Sequence, residues 1–409
     1  MFERTHGSSI AVEIGVNFDR RNAQSGTLQE NTDATCSNTF AQSAEHAPAD
    51  NYVPQTYQRD FKPSRIPYQY WLRQLTMVHL YVQVSSDEAQ CMSGPFGDKI
   101  LVTGALGQIG TELVEALRKQ HGSSSVIASD LRPVEQADLS QGPYLTLDVL
   151  DTESIIDVCK KEGVGTVYHL AALLSATGEK NPELCRKVNV GGTISVFEAA
   201  RACSMRVFTP SSIAVYGPDA PKHAPQITPL NPTTVYGETK VEGEQLAKEY
   251  EEKYGLDIRG IRYPGLISYK APAGGGTTDY AVEIFDAALN DGHYDCFVRA
   301  DTRLPMLYMD DAIRATLVLM DEPSEHLGAS KAGYNIDCLS FTAEELATAI
   351  ANEVDGFTFD FKPDVRQNYA DSWPDSIDGS VAKQEWNWSP QFDLDAMVKA
   401  MLDGLSKSQ

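Results

Sequence analysis

Residues 99–110 read KILVTGALGQIG. The first five, Lys99–Thr103, form a short apolar run of strand type. Three glycines follow, Gly104, Gly107 and Gly110, with the spacing G-x-x-G-x-x-G. From Gly107 to Gln120 the residues Ile109, Leu113 and Leu117 recur at i, i+4 and i+8, which marks one face of a helix. A strand that passes through glycines into a helix has a physical use. The glycines let the backbone approach a pyrophosphate, and the helix N-terminus offers N–H groups that have no partner inside the helix. Glycines without that context read only as a tight turn.

Asp130 stands at the end of the next strand-like run, Ser125–Ser129. A carboxylate there accepts hydrogen bonds from adenosine ribose hydroxyls and repels a 2′-phosphate, so NAD is expected over NADP. Arg132, two residues on, argues the other way. Asp148 closes a third strand, Tyr144–Val149, and reads either as an adenine contact or as a turn residue.

Further out the rhythm repeats. Asp151–Glu162 reads as a helix with Gly163 as its stop, Val164–Ala172 as a strand and Pro182–Cys203 as a helix. Met205–Pro210 is a strand, Val235–Tyr254 a long helix and Ile258–Tyr263 a strand. This alternation predicts an α/β fold: a Rossmann-like doubly wound parallel sheet over 98–266. After Leu266 the pattern breaks into Gly- and Pro-rich loops. Residues 267–409 are expected to form a smaller C-terminal substrate-binding lobe, partly threaded back onto the first domain. Residues 1–97, rich in Ser, Thr, Asn and Gln, read as a largely disordered N-terminal extension. Glu3, Glu13 and Asp19 make it a poor mitochondrial presequence, and Met77 and Met92 are alternative starts.

Composition narrows the function classes. The chain has 409 residues, 42% of them hydrophobic, enough for a large core. Lys and Arg number 34 against 57 Asp and Glu, a net charge of −23. That balance disfavours nucleic acid and anionic membranes as partners. No apolar run reaches the roughly twenty residues of a membrane span. The seven cysteines are scattered, with no C-x-x-C pair and no His at zinc-site spacing, so reduced thiols and no metal are expected.

The chemistry is concentrated in Tyr236-Gly237-Glu238-Thr239-Lys240. At i, i+4 on a helix, Tyr236 and Lys240 share a face. A free tyrosine titrates near pH 10, too high for a base at neutral pH. A neighbouring ammonium and the positive charge of an oxidised nicotinamide both favour the phenolate. Upstream, Thr209-Pro210-Ser211-Ser212 ends a strand, where a hydroxyl can orient a substrate oxygen. His169, inside an apolar strand, reads as a core histidine.

Taken together these segments resemble the extended short-chain dehydrogenase/reductase superfamily. Within it, residues 98–400 resemble the epimerase-like L-threonine 3-dehydrogenases. The matching motifs include TGALGQIG (103–110), AALLSATGE (171–179), TPSSIAVYG (209–217), TVYGETK (234–240), GGGTTDYAV (274–282) and DSWPDSIDGS (371–380). The last two are the specific ones, since sugar-nucleotide epimerases look different there. The resemblance implies that Tyr236 is the catalytic base, Lys240 its partner and Ser212 the contact to the reacting hydroxyl. It implies NAD contacts at Gly104, Gly107, Gln108, Ile109, Gly110, Asp130, Leu131, Asp148, Val149, Leu170, Ala171, Ala172, Asn189, Tyr236, Lys240 and Leu266. Substrate contacts are implied at Ser175, Ser211, Ser212, Tyr236, Thr277 and Asp279. The chain departs from the family at Tyr216, where Phe is common, and at Asp378-Gly379, where two aspartates are common.

The activity so implied is NAD-dependent oxidation of L-threonine to L-2-amino-3-oxobutanoate, on the way to glycine or aminoacetone. A homodimer paired through the long helices and a mitochondrial location, with the cytoplasm as alternative, are implied as well. The competing readings are an NAD-dependent sugar-nucleotide 4-epimerase or dehydratase, and a non-catalytic redox-sensing protein. The first needs basic contacts for a nucleoside diphosphate, and the second usually lacks the Tyr or Lys.

Overall fold

The computed structural model describes residues 97–133, 142–270 and 274–408. The expected N-terminal extension lies outside them, apart from Gly97. Strand β1 (Lys99–Thr103) leads through the glycine turn into α1 (Gln108–His121). Then come β2 (Val126–Asp130), β3 (Tyr144–Thr146), α2 (Thr152–Glu162) and β4 (Val164–His169). Next are α3 (Ser175–Lys180), α4 (Pro182–Arg186) and, after a π turn at Lys187–Gly191, α5 (Gly192–Cys203). β5 (Arg206–Phe208), β6 (Ser211–Ser212), α6 (Val235–Tyr254), β7 (Ile258–Arg259) and β8 (Arg262–Tyr263) follow.

Six of these strands form one parallel sheet in the order β3-β2-β1-β4-β5-β7. This is a Rossmann-like α/β sheet, and its order reverses between β1 and β4. A crevice at the carboxyl ends of the strands opens at such a reversal. Successive residues of β1 face opposite sides of the sheet. Ile100 and Val102 pack with Leu113 and Leu117 of α1, whereas Leu101 packs with Ile155 of α2 and Phe197 of α5. Each such buried aliphatic contributes roughly 1.5–3 kcal/mol.

Local signals explain the helix ends. The Asp151 carboxylate accepts from the Ser154 N–H, and Gly163 closes α2 in the left-handed region. Thr234 caps α6 by accepting from the Gly237 N–H at 3.0 Å. The strands expected over 144–149 and 164–172 end at Thr146 and His169, and two further elements are interrupted. The strand expected over 258–263 divides at Gly260, where a side chain would lie 2.5 Å from the Ala332 carbonyl oxygen and 2.6 Å from that of Thr209. Its second half, β8, leaves the main sheet and pairs with β6. The helix expected over 182–203 carries the π turn, a feature that often marks functional positions.

Beyond β8, β9 (Gly265–Ile267) pairs in parallel with β10 (Arg303–Tyr308), which pairs antiparallel with β11 (Leu339–Thr342). Between β9 and β10 lies α7 (Tyr280–Asn290). Helix α8 (Met309–Asp321) returns to the sheet, with Met309, Ala312 and Ile313 in the cluster that holds Leu113 and Leu117. A separate core gathers Tyr280, Phe285, Leu304, Phe341, Trp373 and Met397. The five described cysteines carry no disulfide.

Candidate active site

A cleft of about 220 Å³ opens at the carboxyl end of the sheet. Gly104, Gly107, Gln108, Ile109 and Gly110 line one side, with Leu170, Ala172 and Leu266 nearby. Ser175, Ser211, Ser212, Tyr236, Lys240, Thr277 and Asp279 line the rest. Fifteen of the residues singled out by sequence thus share one cavity, although they come from six separate stretches of chain.

The glycine side is shaped for close approach. Gly104 has φ +69°, and a side chain on it would sit 2.6 Å from the Ala171 backbone nitrogen. A side chain on Gly110 would lie 2.4 Å from the Gly104 carbonyl oxygen. Gly107 precedes α1 without any side-chain cap, so the first N–H groups of the helix point at the cleft unblocked. These features fit a dinucleotide's pyrophosphate. Asp130 accepts from the Leu106 N–H at 3.1 Å and pairs through both oxygens with Arg132. The hydrogen bonds from Arg132 and Leu106 outweigh its burial and hold its carboxyl below the usual range.

Opposite, Tyr236 and Lys240 stand one turn apart on α6. The Lys240 ammonium lies 5.5 Å from the Tyr236 ring centre and donates to the Pro210 carbonyl at 2.8 Å. Burial pushes the Tyr236 phenol up to about 12, and the Ser212 hydroxyl beside it pulls the other way. Burial also draws Lys240 down to about 8. The lowering expected for Tyr236 from its lysine is therefore not what the protein alone provides, because desolvation of the phenolate is the larger effect.

Several of the expected contact residues bond to other protein groups or stand outside the cleft lining. Ser211 borders the cleft, and its hydroxyl donates to Glu244 at 2.6 Å. The Asn189 side chain holds Leu173, accepting from its N–H at 2.8 Å and donating to its carbonyl, and also donates to Thr239. Asp148 is exposed and accepts from the Leu150 N–H at 2.9 Å. Val149 is buried, Leu131 is exposed, and neither lines the cleft. Ala171 faces a small second cavity behind Lys240. His169 is buried there with Nδ1 2.9 Å from the Thr103 hydroxyl, and burial draws it down to about 3.

Asp279 both lines the cleft and braces its wall. Its carboxylate accepts from the Gly275 and Gly276 N–H groups at 2.6 and 2.7 Å, tying the glycine-rich segment that forms the cleft wall. Burial nevertheless raises its pKa. Sequence reasoning missed Leu174, Tyr263, Pro264 and Trp373 as lining residues. Trp373 reads in the sequence as a core or lobe-interface aromatic, and it is indeed buried, but it also lines the cleft. Its place in the specific DSWP segment was the available signal.

Residues 100–336 match the model of the NAD dependent epimerase/dehydratase family. An uncharacterized epimerase/dehydratase of Staphylococcus haemolyticus is 44% identical over 315 residues, 76% of this chain and 99% of that protein. Among solved structures, the L-threonine dehydrogenase of Clostridium difficile is 44% identical with a TM-score of 0.74, covering 76% of this chain and 98% of its own. A monomeric L-threonine 3-dehydrogenase from a metagenome is 50% identical with a TM-score of 0.73, covering 76% and 99%. That monomer gives the expected homodimer no support, and the staphylococcal relatives give none to a mitochondrial location. No helix among the described residues is long and apolar enough to cross a membrane. On the match across more than half its length and the identity to full-length relatives, the chain belongs to the NAD-dependent epimerase/dehydratase family.

Proposed function

We propose that this protein oxidises the side-chain hydroxyl of L-threonine with NAD, giving L-2-amino-3-oxobutanoate. The observation that carries the reading is the meeting of Tyr236, Lys240 and Ser212 with the glycine turn in one cleft. The solved L-threonine dehydrogenases at 44–50% identity add to it.

In this reading NAD, when bound, accepts a hydride at its nicotinamide and brings a positive charge that favours the Tyr236 phenolate. Gly104–Gly110 and the start of α1 hold the pyrophosphate. Lys240, with Pro210 as its fixed acceptor, presents its remaining protons to ribose hydroxyls. The Tyr236 oxygen takes the proton of the substrate hydroxyl, and Ser212 orients that hydroxyl. Asp279 supplies the carboxylate for the substrate ammonium, and Thr277 and Ser175 supply hydroxyls to its carboxylate. Leu174 and Trp373 give the cleft an apolar surface suited to a methyl group. The protein thereby contributes orientation and a tuned base.

The test is NADH absorbance with purified protein, NAD, and a panel of amino acids and UDP-sugars. NADH is expected with L-threonine. Turnover of UDP-galactose without net NADH would overturn the reading in favour of an epimerase.

A further inference from the structure

The face of α6 that carries Tyr236 and Lys240 continues one turn further to Glu244, whose side chain is 4% exposed. Glu244 meets Arg262 of β8, 6% exposed, in a two-pronged pair. Arg262 Nε donates to Oε1 and Nη2 to Oε2, each at 2.8 Å. The same Oε1 accepts from the Ser211 hydroxyl at 2.6 Å. Arg262 Nη1 is satisfied separately by the Tyr216 hydroxyl at 3.2 Å and the Gln226 carbonyl at 3.1 Å. Gly333 leaves the room, since a side chain there would come within 2.6 Å of the Glu244 carboxylate.

Geometry gives this buried network a use. Ser211 and Arg262 are register partners in β6–β8, a pairing only two residues long. So short a ladder fixes a strand weakly. Yet the strand before and within it carries Pro210, which accepts from Lys240, and Ser212, which stands at Tyr236. A buried ion pair is a poor source of net stability, because desolvation offsets its attraction. It is a good source of fixed position, because a half-broken arrangement leaves a buried charge unpaired.

We propose that Glu244 is a positioning residue, which through Ser211 and Arg262 clamps the strand of Pro210–Ser212 onto the helix that carries Tyr236 and Lys240. This rests on the reading of the site given above. Neither Glu244 nor Arg262 faces the reacting atoms, and they act through the two groups they hold.

The experiment uses the full chain with Ser211→Ala, Ser211→Thr and Glu244→Gln. Ser211→Ala removes one hydrogen bond and leaves the ion pair, so it remains informative even where Glu244→Gln does not fold. One arm measures kinetics with L-threonine across pH. Ser211→Ala is expected to lower kcat about tenfold, with a smaller rise in the KM for NAD as Lys240 loosens. Its activity should begin to rise at higher pH than in the parent, because a loosened Ser212 no longer favours the phenolate. Ser211→Thr, which keeps the hydroxyl, should restore both.

A second arm needs no substrate. Acetic anhydride labels lysines, and peptide mass spectrometry compares Lys240 with Lys119 in the same sample. An ammonium that loses its Pro210 acceptor releases its proton more readily, so Lys240 should label several-fold faster in Ser211→Ala and Glu244→Gln. Unchanged Lys240 labelling, with variants that lose only thermal stability, would overturn the clamp. Should the parent make no NADH from L-threonine, the proposed activity falls, and the labelling arm alone still decides the clamp.

Discussion

The two walls of the cleft are built in opposite ways. The glycine wall comes from one continuous stretch, Thr103–Gly110, and works through backbone: a positive φ at Gly104, close approach at Gly110 and uncapped N–H groups at the start of α1. The facing wall works through side chains brought from β6, α6, the segment before α7 and Trp373. Backbone geometry in a strand–turn–helix is set by nearest neighbours. Side-chain geometry across four distant segments is set by whatever packs behind them, here the Glu244–Arg262 pair and the Asn189 amide. Damage to the first wall should therefore appear in cofactor binding, and damage to the second in turnover.

Tyr236→Phe is the sharpest separation. It should lower NADH production from L-threonine about a thousandfold. NAD affinity, measured by calorimetry, should stay near that of the parent. Retained turnover would break the division by removing the base from the second wall.

Gly104→Ala attacks the first wall. A left-handed backbone and a collision with the Ala171 backbone should weaken NAD binding about tenfold to a hundredfold, the equivalent of roughly 1–3 kcal/mol of strain. A variant that binds NAD normally but turns over slowly would mean that the glycine turn serves the chemistry instead.

Lys240→Met touches both walls. Burial holds the phenol up, so the phenolate forms, and activity rises, as pH increases. Removing the ammonium takes away a charge that favours the phenolate, which moves the rise to higher pH by about one unit. The KM for NAD should increase as well. An unshifted pH profile of kcat/KM would confine Lys240 to cofactor binding.

Asp130→Ala tests the carboxylate that the first wall holds through the Leu106 N–H. The ratio of kcat/KM with NAD to that with NADP should fall about tenfold, since Arg132 loses its partner and becomes available to a 2′-phosphate. Equal efficiency with both cofactors in the parent would refute the preference itself. The smallest effect is expected at Thr342→Ala, far from either wall. It removes a capping box and should cost about 1 kcal/mol in thermal unfolding, with kinetics unchanged.

The legibility of the sequence follows the same division. The strand, turn and helix of residues 99–121, the ends of α2 and the span of α6 were readable because caps, glycines and apolar periodicity act over a few residues. Tyr236 and Lys240 were readable because i, i+4 spacing guarantees a shared face. Ser211 was placed at the substrate by its position beside Ser212, and only the buried carboxylate of Glu244 shows where its hydroxyl goes. The partners of Asn189 were out of reach for the same reason: they are the backbone of Leu173, sixteen residues away, and Thr239, fifty residues away.

What the amino-acid order determined alone is the parallel sheet, its glycine turn and a tyrosine–lysine pair on one helical face, since each depends on short-range sterics and periodicity. Only the tertiary structure decided how acidic that tyrosine is, which hydroxyl is tied down and which aromatic reaches the cleft. Those outcomes depend on desolvation and on partners distant in the chain. Water is removed by the whole packed assembly, and no window of sequence contains it.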